Sequence, residues 1–309
     1  MQRRSVFGIA AGALLALGLQ GSASPPPPPG FLASYTWRDT EQRFGGFSAI
    51  ELRDATHFTA LSDRGAYVEG TLTRDAGGVI TDVLAGRITL LTSDGKAPLI
   101  ALRSDSEGLA LAPDGSFYVS FETAARVLHY KRLGGPAENL PIPKAFRSFP
   151  RNAGLEAVAV DAQGTVFAMA ERTAPAKVGG LARYSGSDSD TPFPIFRYRN
   201  GKWDQPFDLP RVGEFLPVSA DIGPDGRLYV LERAFHGIGG FASRVRSFTM
   251  AKPALTQAQT LFESPAGLHD NLEGLSVWRD ATGALRLTMV SDDNFRFLQR
   301  TEIVEYRFP

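Results

Sequence analysis

One passage recurs along this chain with small changes, and that recurrence restricts the fold more than composition does. Ser106–Glu122, Leu155–Arg172, Val218–Arg233 and Leu272–Asp293 each join a short apolar stretch, a glycine turn and a second alternating stretch. Gly46–Arg64 is a weaker copy that ends in Leu-Ser-Asp-Arg. The turns include Pro113-Asp114-Gly115, Ala162-Gln163-Gly164 and Pro224-Asp225-Gly226, where glycine supplies the positive φ of a tight hairpin. Phe117–Phe121 and Leu228–Leu231 carry the β-branched and aromatic residues of strands, and no convincing amphipathic helix is present. The 32 Gly and 21 Pro suit a turn-dense fold. Strand–turn units repeated at this spacing predict an all-β architecture, a radial β-propeller. A four-stranded blade needs roughly 40–50 residues, so about six blades are expected, with five or seven as alternatives. Residues 180–214, rich in Ser, Asp, Pro and aromatics, read as a loop insertion. Ile303–Phe308 should pair with Tyr35–Trp37 to close the ring and remove its edges.

The start of the chain belongs to a different problem. Arg3 and Arg4 precede an uncharged run, Ser5–Leu19, and Gly21-Ser22-Ala23 offers cleavage after Ala23. Residues 1–23 read as a secretory signal peptide, too short to span a bilayer. The arginine pair suggests the twin-arginine route, although Gln2 and Val6 depart from its pattern. The mature protein is expected in the periplasm or outside the cell, with no membrane span. Residues 24–30, which include Pro25–Pro29, form a stiff spacer, and residues 31–309 a single propeller domain.

The whole chain has 33 basic and 33 acidic residues; losing Arg3 and Arg4 leaves the mature part about two charges negative. No basic stripe points to nucleic acid or anionic lipid. The absence of cysteine excludes disulfides, a thiolate nucleophile and a cysteine-ligated metal. A small-molecule substrate and a monomer are expected.

Acids stand at corresponding places in the copies. Set in register on their turn glycines, Glu107 and Glu156 lie eight residues before the glycine, and Glu273 ten before Gly283. A second set follows the second strand: Asp63, Glu122, Glu171, Glu232 and Asp292 with Asp293. Equivalent positions of a closed radial fold form rings around its axis, and gathered carboxylates cannot all stay ionised without a counter-charge. A hard divalent cation bound by oxygens, most simply Ca²⁺, is one candidate. Arg64, Arg172 and Arg233, which directly follow three of the acids, are the other. The alternative is structural, since acids near glycine turns accept backbone hydrogen bonds and acid–arginine pairs strut neighbouring blades. The small residue after Glu107, Glu156 and Glu273 also lets backbone come close to a ligand.

The four histidines are scattered outside any His-Glu-x-x-His frame, and there is no Gly-x-Ser-x-Gly elbow. His236, in a glycine-rich loop after an acid-tipped strand, is either a proton donor or a solvated side chain; His269 is similarly ambiguous. Trp37, Trp203 and Trp278 read as packing residues.

Glu107-Gly-Leu-Ala, Asn152 to Ala157, Leu231-Glu-Arg, Asn271-Leu-Glu-Gly-Leu, Ser291-Asp-Asp-Asn-Phe and Gln299-Arg-Thr together resemble the phytase-like propeller family, labelled "esterase-like activity of phytase". The resemblance runs from about Gly45 to the C-terminus and implies a secreted propeller related to calcium-dependent phytases, hence phosphoester hydrolysis. Val218, in the register of Glu107 and Glu156, departs from the acid pattern. The favoured expectation is a metal-dependent phosphoesterase with Glu107, Glu156, Glu273 and Asp292 on Ca²⁺. Arg64, Arg172, Arg233 and His236 are its catalytic candidates, and Asp63, Glu171, Glu232, Asp293 and Asn294 its substrate-binding ones. A calcium-dependent lactonase or carboxylic-ester hydrolase and a non-enzymatic binding propeller are the alternatives.

Overall fold

The computed structural model describes residues 26–100, 103–149, 154–171, 177–178, 181–182, 191–296 and 299–309. Residues 1–23, read as a signal peptide, and Arg172 lie outside them. After β1 (Phe31–Thr36), the first blade holds β2 (Phe47–Leu52), β3 (His57–Ser62), β4 (Ala66–Arg74) and β5 (Ile80–Ala85), with a short β6 (Thr89–Leu90) against β4. The second holds β7 (Ser106–Leu111), β8 (Phe117–Phe121), β9 (Arg126–Tyr130) and β10 (Ala137–Asn139). The third holds β11 (Leu155–Val160) and β12 (Val166–Ala170), then, after a two-stranded excursion of β13 (Lys177–Val178) and β14 (Leu181–Ala182), β15 (Phe193–Arg199) and β16 (Lys202–Leu209). β17 (Leu216–Ile222), β18 (Leu228–Phe235), β19 (Phe241–Ala251) and β20 (Ala254–Glu263) make the fourth. β21 (Asn271–Arg279), β22 (Leu285–Asp292) and β23 (Glu302–Phe308) make the fifth, with β1 as its outermost strand.

The first strand of each blade lies innermost, and β2, β7, β11, β17 and β21 each touch the next in that order, β21 returning to β2. This is a closed five-bladed β-propeller, one blade fewer than the favoured six and the smaller of the two alternatives. Much of the supposed insertion at 180–214 is blade: Phe193–Arg199 and Lys202–Leu209 are strands joined by Asn200-Gly201, both at positive φ. That dipeptide is a two-residue hairpin signal. The ring closes as its ends suggest, with Tyr35 opposite Ile303 in the β1–β23 pair. Glu305 of β23, buried, accepts hydrogen bonds from Arg74 of the first blade at 2.5 and 2.8 Å and from Arg286 at 2.6 Å, which ties the first blade to the last.

Hydrophobic cores fill the five spaces between blades. Phe47, Phe58, Trp278 and Ile303 pack between the last and first, and Leu61, Leu109 and Phe121 between the first and second. Val158, Val166 and Val127 join the second to the third, Phe167, Ile195 and Phe248 the third to the fourth, and Leu231, Leu287 and Tyr306 the fourth to the fifth. Trp37 stacks on Phe47 at 4.7 Å in the first of these cores. Inner strands are therefore buried on both faces, and β2 and β11 are buried along their whole length.

The small residues after the acids serve this packing. A Cβ on Gly108 would lie 2.7 Å from the Glu156 carbonyl oxygen, and one on Gly274 would lie 2.7 Å from the Ile50 nitrogen. Both contacts are with backbone of the next blade, so the close approach is between neighbouring inner strands and not to a ligand. Gly274→Ala should cost about 1–3 kcal/mol through this overpacking, read as a lower midpoint in urea with an unchanged slope.

Candidate functional site: an axial cavity of carboxylates

Each inner strand is interrupted at the same point. The pairing with the second strand slips after Phe47, Ser106, Leu155, Pro217 and Leu272, so every blade carries a β-bulge there. Bulges kink a strand and re-aim a side chain. The residues they displace are Ser48, Glu107, Glu156, Val218 and Glu273. Three carboxylates are thereby turned into a cavity at one mouth of the propeller.

The ends of the second strands form another ring. The residues following the partners of Phe47, Ser106, Leu155, Pro217 and Leu272 are Asp63, Glu122, Glu171, Arg233 and Asp292. All five, with the three bulge acids and Asp105, line one cavity of about 360 Å³. Eight carboxylates and a single guanidinium from five blades thus share one space.

Burial and mutual repulsion raise five of these acids above their ordinary range. Burial, then Glu273 and other nearby carboxylates, pushes Glu107 well above the ordinary range. Burial followed by Glu107 and Glu171 does the same to Glu156. Asp63 is raised to about 6, Glu122 to about 7 and Asp292 to about 8, each chiefly by burial. Arg233 offsets part of the charge. Its Nη1 donates to Asn271 Oδ1 at 2.5 Å and to Glu273 Oε1, and Nη2 lies 3.5 Å from Glu171 Oε1. Burial opposes its charge, but Glu273, Glu171 and Glu156 outweigh that and hold the guanidinium above its usual range.

Asp105, Glu107 and Glu122 each offer a carboxylate oxygen, and the three lie within 4.8 Å of one another. Oxygens on opposite sides of a Ca²⁺ at its usual bond length of about 2.4 Å stand about 4.8 Å apart, so the spacing suits a hard cation. No histidine lines the cavity among the described residues, which fits oxygen-loving ions better than zinc or copper. Asp105 is steadied by Thr123, whose amide donates to Oδ2 at 3.1 Å and whose hydroxyl donates to the same atom.

The structure gathers Glu107, Glu156, Glu273, Asp292, Asp63, Glu171 and Arg233, and places other candidates elsewhere. Glu232 is fully buried between blades, where Oε1 and Oε2 accept from Arg246 at 2.6 Å and Oε2 from Arg244 at 3.0 Å. It pairs with Pro217, one position short of the ring, and a slip of one residue puts a strand side chain on the opposite face. Arg233 takes the ring position, seven residues after its turn glycine as Glu122 and Glu171 are after theirs; that count was the available signal. Asp293 caps a turn, accepting from the amides of Gly46 at 2.9 Å and Phe295 at 3.0 Å and from Thr301 Oγ1 at 3.0 Å. Arg64 is exposed and lies 3.2 Å over the Phe295 ring, outside the cavity lining. His236 is exposed, and its backbone N–H donates a hydrogen bond to the Gly240 carbonyl oxygen at 2.9 Å. Asn294 lines a neighbouring groove with His269, which is buried, 2.7 Å from Tyr306 Oη and lowered by burial to about 4. Asp105 was missed: it precedes Glu107 by two residues as Asn271 precedes Glu273, a spacing that repeats a strand face.

These positions separate structural from site carboxylates experimentally. Glu232→Gln should remove about 3–5 kcal/mol of stability by leaving two buried guanidinium groups short of a counter-charge. Any shift in melting temperature on adding Ca²⁺ should be the same in this variant as in the unaltered protein.

The phytase-like family, described as esterase-like activity of phytase, matches residues 42–295 of this chain. No curated protein matches the chain in sequence. Among solved structures, an α-L-arabinofuranosidase from Podospora anserina is 12% identical with a TM-score of 0.50, over 91% of this chain and 96% of that one. A carbohydrate-active enzyme of family AA12 from Trichoderma reesei is 11% identical with a TM-score of 0.47, over 91% and 98%. A gluconolactonase from Xanthomonas campestris is 14% identical with a TM-score of 0.41, over 82% and 69%. At 12% identity the first bears on the fold alone, and no chemistry is read across from any of them.

Proposed function

Because this chain belongs to the phytase-like family described as esterase-like activity of phytase, we propose that it is an exported, metal-dependent phosphoester hydrolase acting at the axial cavity. The observation that carries this reading is the convergence of eight carboxylates and one guanidinium on a single space. So many acids in one partly buried space call for a cationic counter-charge, and Asp105, Glu107 and Glu122 would hold a divalent ion, most simply Ca²⁺. When bound, such an ion neutralises phosphate oxygens and makes water more acidic.

The chain's own groups supply positioning and proton handling. Asp292, pushed up to about 8 by burial in the metal-free fold, is the group that would hold a proton and give it to a departing alkoxide. The Asn294 amide donates to its Oδ1 at 2.6 Å, which fixes the carboxyl plane. Arg233, fixed by Asn271 and Glu273, presents a preorganised positive charge against developing negative charge.

The test is hydrolysis of p-nitrophenyl phosphate by purified protein with Ca²⁺, after chelation, and after Ca²⁺ is restored. Turnover that is lost and regained supports the proposal. Cation-dependent opening of lactones without phosphatase activity would replace it with a carboxylic-ester reading. No hydrolysis of any ester, with no thermal stabilisation by Ca²⁺, would leave a binding propeller.

A further inference from the structure

Beside the acid cavity lies a groove of about 1180 Å³ over the fourth and fifth blades, and the two share Glu171, Arg233 and Glu273 in their walls. A molecule held by the cavity can therefore reach into the groove. The outer wall is apolar. Phe235 and Phe241, at the ends of β18 and β19, have ring centroids 5.0 Å apart, and Ile238 stands on the turn between them. Phe235 is 65% exposed and Ile238 110% exposed. Gly237, Gly239 and Gly240 surround Ile238, so no neighbouring side chain on its own turn shields it. Large apolar side chains held into solvent beside a polar site are a mark of ligand contact.

The groove's charges exclude the opposite kind of guest. Four carboxylates, Glu171, Glu214, Asp270 and Glu273, face three guanidinium groups, Arg233, Arg296 and Arg300. Arg233 is committed to Glu273, and Arg300 lies 3.1 Å from Glu302. A densely phosphorylated polyol would meet no cationic surplus there, whereas a single phosphate with an apolar tail would meet a matched surface. Resting on the hydrolase reading above, we infer that the substrate is a monoester of an aryl or alkyl alcohol, with its organic group in this groove against Phe235, Ile238 and Phe241.

The test compares 1-naphthyl phosphonate with methyl phosphonate by calorimetry in Ca²⁺, and the corresponding phosphates by turnover. The naphthyl compound should bind at least tenfold more tightly. Ile238→Ser, alone and with Phe235→Ser, should erase that preference while leaving methyl phosphonate binding and the melting temperature unchanged. Equal binding of the two phosphonates, a preference that survives both substitutions, or tighter binding of inositol hexakisphosphate would overturn the inference. Selective binding without turnover of any ester would support the groove's role while removing the hydrolase assignment, so the two failures are distinguishable.

Discussion

Replacing Glu107 and Glu122 together by glutamine should abolish ester turnover and, at pH 8 without metal, make the protein more stable. The two effects have one origin. Both side chains lie in a group of three carboxylates spaced for a hard cation, and both are pushed upward by burial and by other carboxylates. Glutamine keeps the shape and one oxygen but removes the charge that would bind the proposed ion. Losing several kcal/mol of electrostatic stabilisation corresponds to a fall in kcat/KM on the order of 10³-fold. The same change relieves repulsion in the metal-free fold. Acids that merely cap turns or brace blades would behave oppositely, losing stability and leaving cation binding intact, as expected for Glu232. Parallel melts and Ca²⁺ titrations of the double variant decide the matter: a lowered metal-free midpoint with wild-type Ca²⁺ affinity would sink the assignment.

The metal-free protein should also lose stability as pH rises from about 4 to 8. Asp63, Glu122 and Asp292 sit near 6, 7 and 8, against ordinary values of 3.8, 4.5 and 3.8. A raised acid binds its proton more tightly in the folded than in the unfolded chain. Between the two values the native state holds more protons, so stability is complete below about pH 4 and declines until the folded group ionises. With the share of the partly solvated Glu122 discounted for screening, the loss is on the order of a few kcal/mol, and the melting temperature should drop by on the order of 10 °C over this range. Ca²⁺ should restore most of the loss at pH 8 and little at pH 5, where protons already offset the charge. Melting curves at pH 5 and pH 8 with and without chelator measure this directly; a midpoint that climbs with pH in the chelated protein would show the carboxylates to be solvated or paired.

Much of the architecture is readable in one dimension because its determinants are local. Turn glycines at Gly115, Gly164, Gly226 and Gly283 all adopt positive φ, and the strands around them alternate as hairpins must. The pairing of Ile303 with Tyr35 follows from a spare strand at each end of a repeating array. The blade number was less legible, because most of these blades, counted with their connections, are longer than the roughly 40–50 residues expected: β18, β19 and β20 run 8, 11 and 10 residues, and Phe193–Leu209, loop-like by composition, buries Phe193, Ile195, Phe207 and Leu209 as blade.

The chain by itself determined that acids recur once or twice in each repeat, which is a property of local spacing. Which of them face the axis was decided by the bulge in every inner strand and by the pairing of the second strands. A single step of register separates Arg233, in the cavity, from Glu232, sealed between blades with Arg244 and Arg246. The sum of charges in one small volume, the entry of Asp105 into it and the apolar groove at its side exist only once five separate blades meet. Side-chain direction in a strand alternates with every residue, and closure of the ring brings together groups far apart in sequence; neither is carried by any one segment of the chain.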